Sequence, residues 1–499
     1  TVRGTDGNFL APSASYAFVN QGTIRSEVAG GTILIDRMSN QGSLQATGGT
    51  LNVNNLTGNL NTVSVTASGV VDLDGSYTVN LPITVRDSGT LTLDGTWVNS
   101  SSISMTNSTV NLGGNFSLTT LGSFSRTGGT VNLTGVLNLA GMTLNLNATT
   151  GDWRIVGGTL LGGTLATAAG GTLVPTSTAG VLDAMTVGGA GFTIPSGADL
   201  TTRNGLTLAA TNITLGTAVA GHSQLYCSGT QTIGGTGEII MVDSPMGYTR
   251  YLQATSPAGT TTIAAGITVR GVDGILSAAG ASNFVNQGVI RADTSAQTIT
   301  LLNVTNAPGG LLESVSGGRF SSSSNFTNTG QVTIGTGGLF TRSGNYTQTS
   351  GNTLLNGGAL TVNSGVVDVQ GGALGGIGTI TGNVVNSGAV EPGTSPGALT
   401  LNGAYTQNSS GVLRIGVEGT AVSLFDRLLV SGAASLSGAL QVTFTSFTPS
   451  VSDSFGFLTY SSVGGTSFTT VSATGLGTMQ QVSVTYQPTS AVLNVIPGP

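Results

Sequence analysis

Residues 376 to 407 alternate with a period of two. Ile380, Gly382, Val384, Asn386, Gly388 and Val390 share one parity; after the turn Pro392-Gly-Thr-Ser-Pro-Gly397, the other parity carries Leu399, Leu401, Gly403, Tyr405 and Gln407. A period of two predicts strands, and the phase changes at the Pro/Gly break. Strands this short, with an inner side of Ile, Val, Leu, Gly and Asn, cannot bury their apolar face alone. They need a copy of themselves above and below. The same alternation runs through Thr50-Leu-Asn-Val53, Val70-Val-Asp-Leu-Asp74, Thr90-Leu-Thr-Leu-Asp94, Thr109-Val-Asn-Leu112 and Ala359-Leu-Thr-Val362, punctuated by Gly-Gly, Asn-Gly and Ser-Gly turns. Helix signals are nearly absent, because glycine recurs every few residues where a helix would break.

The pattern repeats on two length scales. Thr1-Val-Arg-Gly-Thr-Asp-Gly7 returns as Thr268-Val-Arg-Gly-Val-Asp-Gly274, and Phe18-Val-Asn-Gln-Gly-Thr-Ile-Arg25 returns as Phe284-Val-Asn-Gln-Gly-Val-Ile-Arg291. Asn40 then matches Asn306, and Gly48-Gly49 matches Gly317-Gly318, a duplication of about fifty residues. Within each copy Asn20 to Asn40 and Asn286 to Asn306 are 20 residues apart, and Asn306 to Asn328 is 22. From Asn328 to Asn386 the distance is 58, close to three such steps, and Gly344-Asn-Tyr-Thr-Gln348 echoes in Gly403-Ala-Tyr-Thr-Gln407. A coil of about 20 residues with short strands and Gly or Asn corners predicts an all-β parallel β-helix, or β-solenoid. Asn20, Asn40, Asn286, Asn306, Asn328 and Asn386 are the expected turn and ladder residues. Each amide can bond its equivalent one coil away, about 4.8 Å along the axis, and asparagine tolerates the left-handed corner. Asn55-Leu-Thr, Asn132-Leu-Thr, Asn212-Ile-Thr and Asn325-Phe-Thr also match a glycosylation acceptor, a pattern that chance supplies in a chain this rich in Asn, Ser and Thr.

Residues 120 to 240 are the least regular, and Pro195 and the stretch from Met241 to Tyr251 are expected to form lateral excursions. After Val412 the pattern changes: Asp426, Leu428, Val430, Gly432, Ala434, Leu436, Gly438, Leu440 and Val442 hold one parity without a break. The expected organisation is therefore a β-helix over residues 1–411 and a distinct β-rich capping or assembly region over 412–499. Such a region would protect the unpaired backbone of an end coil.

Composition narrows the chemistry. Charged residues make up 7% of the 499, aromatics 5%, and glycine numbers 80. Disordered chains are usually highly charged, so 38% hydrophobic residues with so little charge point to a packed interior under a Ser/Thr/Asn/Gly surface. The net charge is −6 with 14 Arg and no Lys. No basic stripe exists for a nucleic-acid backbone, and Schiff-base or P-loop lysine chemistry is excluded. Cys227 is the only cysteine, so no intrachain disulfide forms. No apolar run approaches a membrane span, and the chain opens at Thr1 with no signal peptide, as a mature or trimmed product would.

The run Gly378-Thr-Ile-x-Gly-x-Val-x-Asn-x-Gly-x-Val-x-Pro-Gly-x-Ser-Pro-Gly-x-Leu-x-Leu-x-Gly-x-Tyr-x-Gln407 resembles the passenger-associated repeat of bacterial autotransporters and related large surface exoproteins. The run from Asp426 to Val442 and Phe457-Leu-Thr-Tyr460 resemble the segment that follows it, and the likeness covers about 120 residues. The resemblance implies a right-handed parallel β-helix, exported and displayed on or released from a bacterial surface. These 499 residues carry no translocator barrel, and Ile496-Pro-Gly-Pro499 is expected to be either a linker to one or the start of a removed sorting segment.

β-Helices also include polysaccharide lyases and hydrolases, so three constellations call for weighing. Asp72 and Asp74 point to one side of a strand and suit an acid/base pair or a Ca²⁺ site; a solvent-facing pair is the plainer reading. His222, the only histidine, stands five residues before Cys227, without a nucleophile elbow. Arg3-Gly-Thr-Asp6 and Arg270-Gly-Val-Asp273 read as local Arg/Asp pairs at coil corners, as does Asp426-Arg427. We therefore expect no catalytic, cofactor or metal residues. The expectation is a non-enzymatic extracellular structural or adhesive solenoid of about 25 coils, a rod on the order of 100 Å long. Its partners would be glycans, other cell surfaces or further copies of itself, head-to-tail if another copy's end covers the first coil. The alternative is a polysaccharide-degrading β-helix enzyme.

Overall fold

A computed structural model describes every residue except 14, 245–246, 256–258 and 395. The chain is a parallel β-solenoid of about 19 turns. It divides into two compact units, Thr1–Glu238 with Ser244–Tyr248, and Ile239–Asp243 with Thr249–Pro499. The one helical segment among the described residues is Leu118–Leu121, a single turn capped reciprocally by Ser117 and Thr120.

A regular coil of the first unit has three short strands, such as Ile83–Arg86, Thr90–Leu93 and Thr96–Asn99. The next strand, Ser102–Thr106, returns to lie parallel on the first, with Ile83 opposite Ile103. Alternation decides what is buried: Ile83, Val85, Leu91, Leu93, Trp97 and Asn99 face inward, while Thr84, Arg86, Thr92 and Val98 face out. Equivalent residues then stack along the axis, as in Ile24, Leu44, Val63, Ile83 and Ile103. Each such aliphatic contributes about 1.5–3 kcal/mol by leaving water, and no coil could do this without its neighbours.

Corners need left-handed backbone. Gly75, Gly95 and Gly114 form one corner column, with φ of 150°, 80° and 62°. A Cβ on Gly95 would lie 2.1 Å from the carbonyl oxygen of Gly75, and one on Gly114 2.0 Å from that of Gly95. Glycine is required there twice over, by conformation and by space. Longer strands, Ala198–Leu215 and Asn352–Val369, pass around corners without interruption.

The first ladder of this unit ends at Ser123–Thr127. Arg126 fills the gap beyond that edge, donating to the carbonyls of Gly129 (2.7 Å) and Asp152 (2.6 Å). In the second unit Phe320, Phe326, Phe340 and Tyr346 pack with ring centroids 5.1 to 5.8 Å apart.

The 25 coils expected from a 20-residue step are reduced to about 19 because the step lengthens. From Ala198 to its partner Ser223 is 25 residues, from Leu401 to Val430 is 29, and from Val442 to Ala473 is 31. Past Met241 the described residues leave the strands until Arg250; Pro245 and Met246 of that expected excursion lie outside the described residues. The parallel stack runs through Val412 without a break: Val412–Val417 lies on Ala389–Pro392, and Ala439–Phe444 lies on Val412–Val417. The ladder changes direction at Ser454–Thr459, which pairs antiparallel with Ser490–Pro497, itself antiparallel to Gln480–Tyr486.

Candidate functional site

The inner amides bond from coil to coil along the stack. Asn20 donates its side-chain N–H to Asn40 Oδ1 (2.6 Å), Asn286 to Asn306 (2.9 Å) and Asn306 to Asn328 (2.8 Å). Asn328 continues to Gln348 (3.3 Å), and Asn386 donates to the Tyr405 hydroxyl (3.1 Å) and lies against Gln407 (3.5 Å). The step from Asn328 to Asn386 is three coils, through Gln348 and Val369. Gln348, Gln407, Tyr346 and Tyr405 take part in the same kind of network, beyond the asparagines expected as ladder residues. Their signal was present in the recurring Tyr-Thr-Gln. All of these side chains except the half-buried Asn20 are buried, and burial raises the hydroxyls of Tyr346 and Tyr405 well above their ordinary value. Most of these amide groups bond one another or the corner carbonyls, while the buried Asn386 Oδ1 has no hydrogen-bond partner, so the network serves the fold.

The residues weighed for chemistry are placed apart. Asp72 and Asp74 both face outward from Val70–Val79, and Asp94 occupies the next coil. Burial raises the Asp72 carboxyl, and Asp94 and Asp74 add to it; burial also raises Asp94, against the Gly114 N–H that stabilises its charge. Among the described residues no group of three or more His, Cys, Asp or Glu is arranged to hold a metal ion. Cys227 points into the core and is fully buried, whereas the His222 ring stands edge-on to Tyr248 with centroids 5.2 Å apart. A thiol sealed in the core offers no nucleophile to a substrate.

The Arg/Asp corner motifs work across coils. Arg270 reaches Asp293 at 3.4 Å, Asp273 accepts the Thr298 N–H (3.3 Å), and Asp6 accepts the Thr32 N–H (2.8 Å). Asp426, buried, accepts the N–H groups of Gly397 (2.9 Å) and Gly416 (2.8 Å) and so ties the Pro392–Gly397 turn to the coil above; Ser395 of that turn lies outside the described residues.

One outward column of the second unit collects an unusual share of the few charges. In register it reads Arg270, Arg291, Glu313, Thr333, Leu354, Gly375, Glu391, Arg414, Gln441. Arg291 pairs with Glu313 (2.8 Å), Arg414 pairs with Glu391, and Arg414 Nε donates to Gln441 (3.1 Å). Between the two ion pairs the column dips at Gly375, which has no side chain. Cavities of about 270, 470 and 550 Å³ adjoin there, and Glu391 lines all three. Leu354, 39% exposed, forms the lower lip, and Ile377, 40% exposed, stands at the neighbouring corner. In the first unit a groove of about 680 Å³ lies over Thr172, Val174, Thr193 and Thr214, with Asp152 at its rim.

The fold and these surfaces define a β-solenoid with buried amide ladders and a lateral face of hydroxyls, amides and paired charges. No protein-family model matches the chain, and no curated protein matches it. Among the described residues no helix is long and apolar enough to cross a membrane.

Proposed function

We propose that this chain is a non-enzymatic extracellular solenoid of the autotransporter-passenger kind, displayed on or released from a bacterial surface and working by contact as a structural or adhesive protein. The observation that carries the reading is the outward column of the second unit, where every coil but that of Gly375 presents one side chain to the same face. Contacts that are individually weak add up when they recur every coil, since the second and later contacts are intramolecular. The resemblance of Gly378–Gln407 to the passenger-associated repeat supports a surface location. Antibody labelling of intact cells tests that location, and a chain confined to the cell interior would sink it. Self-association belongs to the same reading; micrographs of native material that show only isolated particles at high concentration count against it.

One observation favours the enzyme alternative: Asp72, raised by burial and by Asp94 and Asp74, is a carboxyl of the type a glycosidase uses as its acid. That reading requires turnover of some polysaccharide that Asp72→Asn abolishes.

A further inference from the structure

We infer that the dip at Gly375 is a saccharide-binding site for a neutral, extended glycan lying along the outward column of the second unit. The inference rests on the contact reading above and names the ligand of the column it describes.

Backbone geometry excludes the first competitor. Every strand flanking the dip is paired on both sides: Asn352–Val369 lies between Gln331–Gly335 and Ala373–Asn386, and Ala389–Pro392 lies between Ala373–Asn386 and Val412–Val417. No ladder edge is open there for a peptide to extend as an added strand, so a ligand must be read by side chains.

Charge excludes the second. Glu391 and Arg414 neutralise each other, and the Asp426 carboxylate is committed to two backbone N–H groups. The Asp426 carboxylate keeps its negative charge under those hydrogen bonds, so a strongly anionic chain meets no net positive field in the dip.

What remains is a row of mixed character. Below the dip, Leu354 offers an exposed apolar surface, with Thr333 beneath it. Above it Glu391, Arg414 and Gln441 offer acceptors and donors one coil apart. A pyranose has the same division, with C–H groups on its faces and hydroxyls at its rim. The coil repeat of about 4.8 Å is close to the length of one sugar residue, so successive rings would meet successive coils. The depth of the dip is built in. Gly375 has no side chain to fill the row, and a Cβ on it would lie 2.2 Å from the Glu391 carbonyl oxygen, so no larger residue fits. Gly375 is thus unsuitable for mutation as a test, while Leu354 and Arg414 are exposed.

Saturation-transfer NMR with cellohexaose and with mannohexaose, on the whole chain, tests the site. Saturable transfer to at least one sugar is expected, weakened about tenfold in Leu354→Ser and in Arg414→Gln, with the thermal transition of Leu354→Ser unchanged. No transfer from either hexasaccharide, equal transfer in all three proteins, or tighter binding of a sulfated hexasaccharide overturns the assignment. If the chain still attaches to cells when sugar binding fails, the ligand assignment falls and the contact reading stands.

Discussion

Asn286 and Asn306, 20 residues apart in sequence, are joined side chain to side chain at 2.9 Å, and both are fully buried. Asn306 also donates to Asn328 and to the carbonyl of Gln331. Replacing it with alanine strands groups in two neighbouring coils, each costing about 1–3 kcal/mol. Asn306→Ala is expected to lower the urea midpoint. It should also speed hydrogen exchange at the Asn286 and Asn328 corners more than at the Asn20 corner. Uniform acceleration along the chain would contradict a local ladder.

The carboxylate of Asp426 links the Pro392–Gly397 turn to Val412–Val417, beside the Arg427 N–H that donates to the Gly397 carbonyl (2.9 Å). Asp426→Ala removes two charge-assisted hydrogen bonds, each worth about 1.5–3 kcal/mol. Faster exchange of the Gly397 and Gly416 amides is expected. Unchanged protection at both would mean that packing alone holds the turn.

Tyr346 and Tyr405 keep their protons where an unfolded tyrosine, with an ordinary value of 10.0, releases its own. The folded state therefore binds more protons above pH 10, and this contribution to stability, present in full below pH 10, is lost as pH rises. The expected slope is about 1.4 kcal/mol per pH unit for each tyrosine. Absorbance at the phenolate band should show these two ionising together with unfolding. A separate titration in the folded protein would show that they are open to solvent.

Asp72 is raised in the folded state, so its contribution to stability is present below the ordinary value of 3.8 and is lost as pH rises above it. Asp72→Asn should raise the melting temperature at pH 7 and leave it nearly unchanged below pH 3.8. Destabilisation at pH 7 would show that the charged form is held by a favourable partner.

Much of the fold is legible in the sequence because its information is local and periodic. The even-numbered run from Asp426 to Val442 is inward-facing throughout, as alternation requires. The amide ladder is legible because identical residues recur at nearly equal steps. The number of turns is not, since loops such as those before Val430 and Ala473 add residues without adding a coil. The Gly375 column is hidden for the same reason: its steps run from 16 residues, Gly375 to Glu391, to 27, Arg414 to Gln441, and only the register aligns them. Arg342 is a further case. Its parity matches that of Phe340, so alternation sends it inward against its charge. The structure satisfies it with the carbonyls of Ser322, Ser343 and Asn345.

The most direct test of a solenoid that works by contact is to incubate the purified chain with insoluble polysaccharides and intact cells, pellet them, and assay the supernatant for both protein and released sugar. The chain is expected in the pellet, with no sugar released. Protein that stays in the supernatant, or sugar release that Asp72→Asn abolishes, would contradict the account.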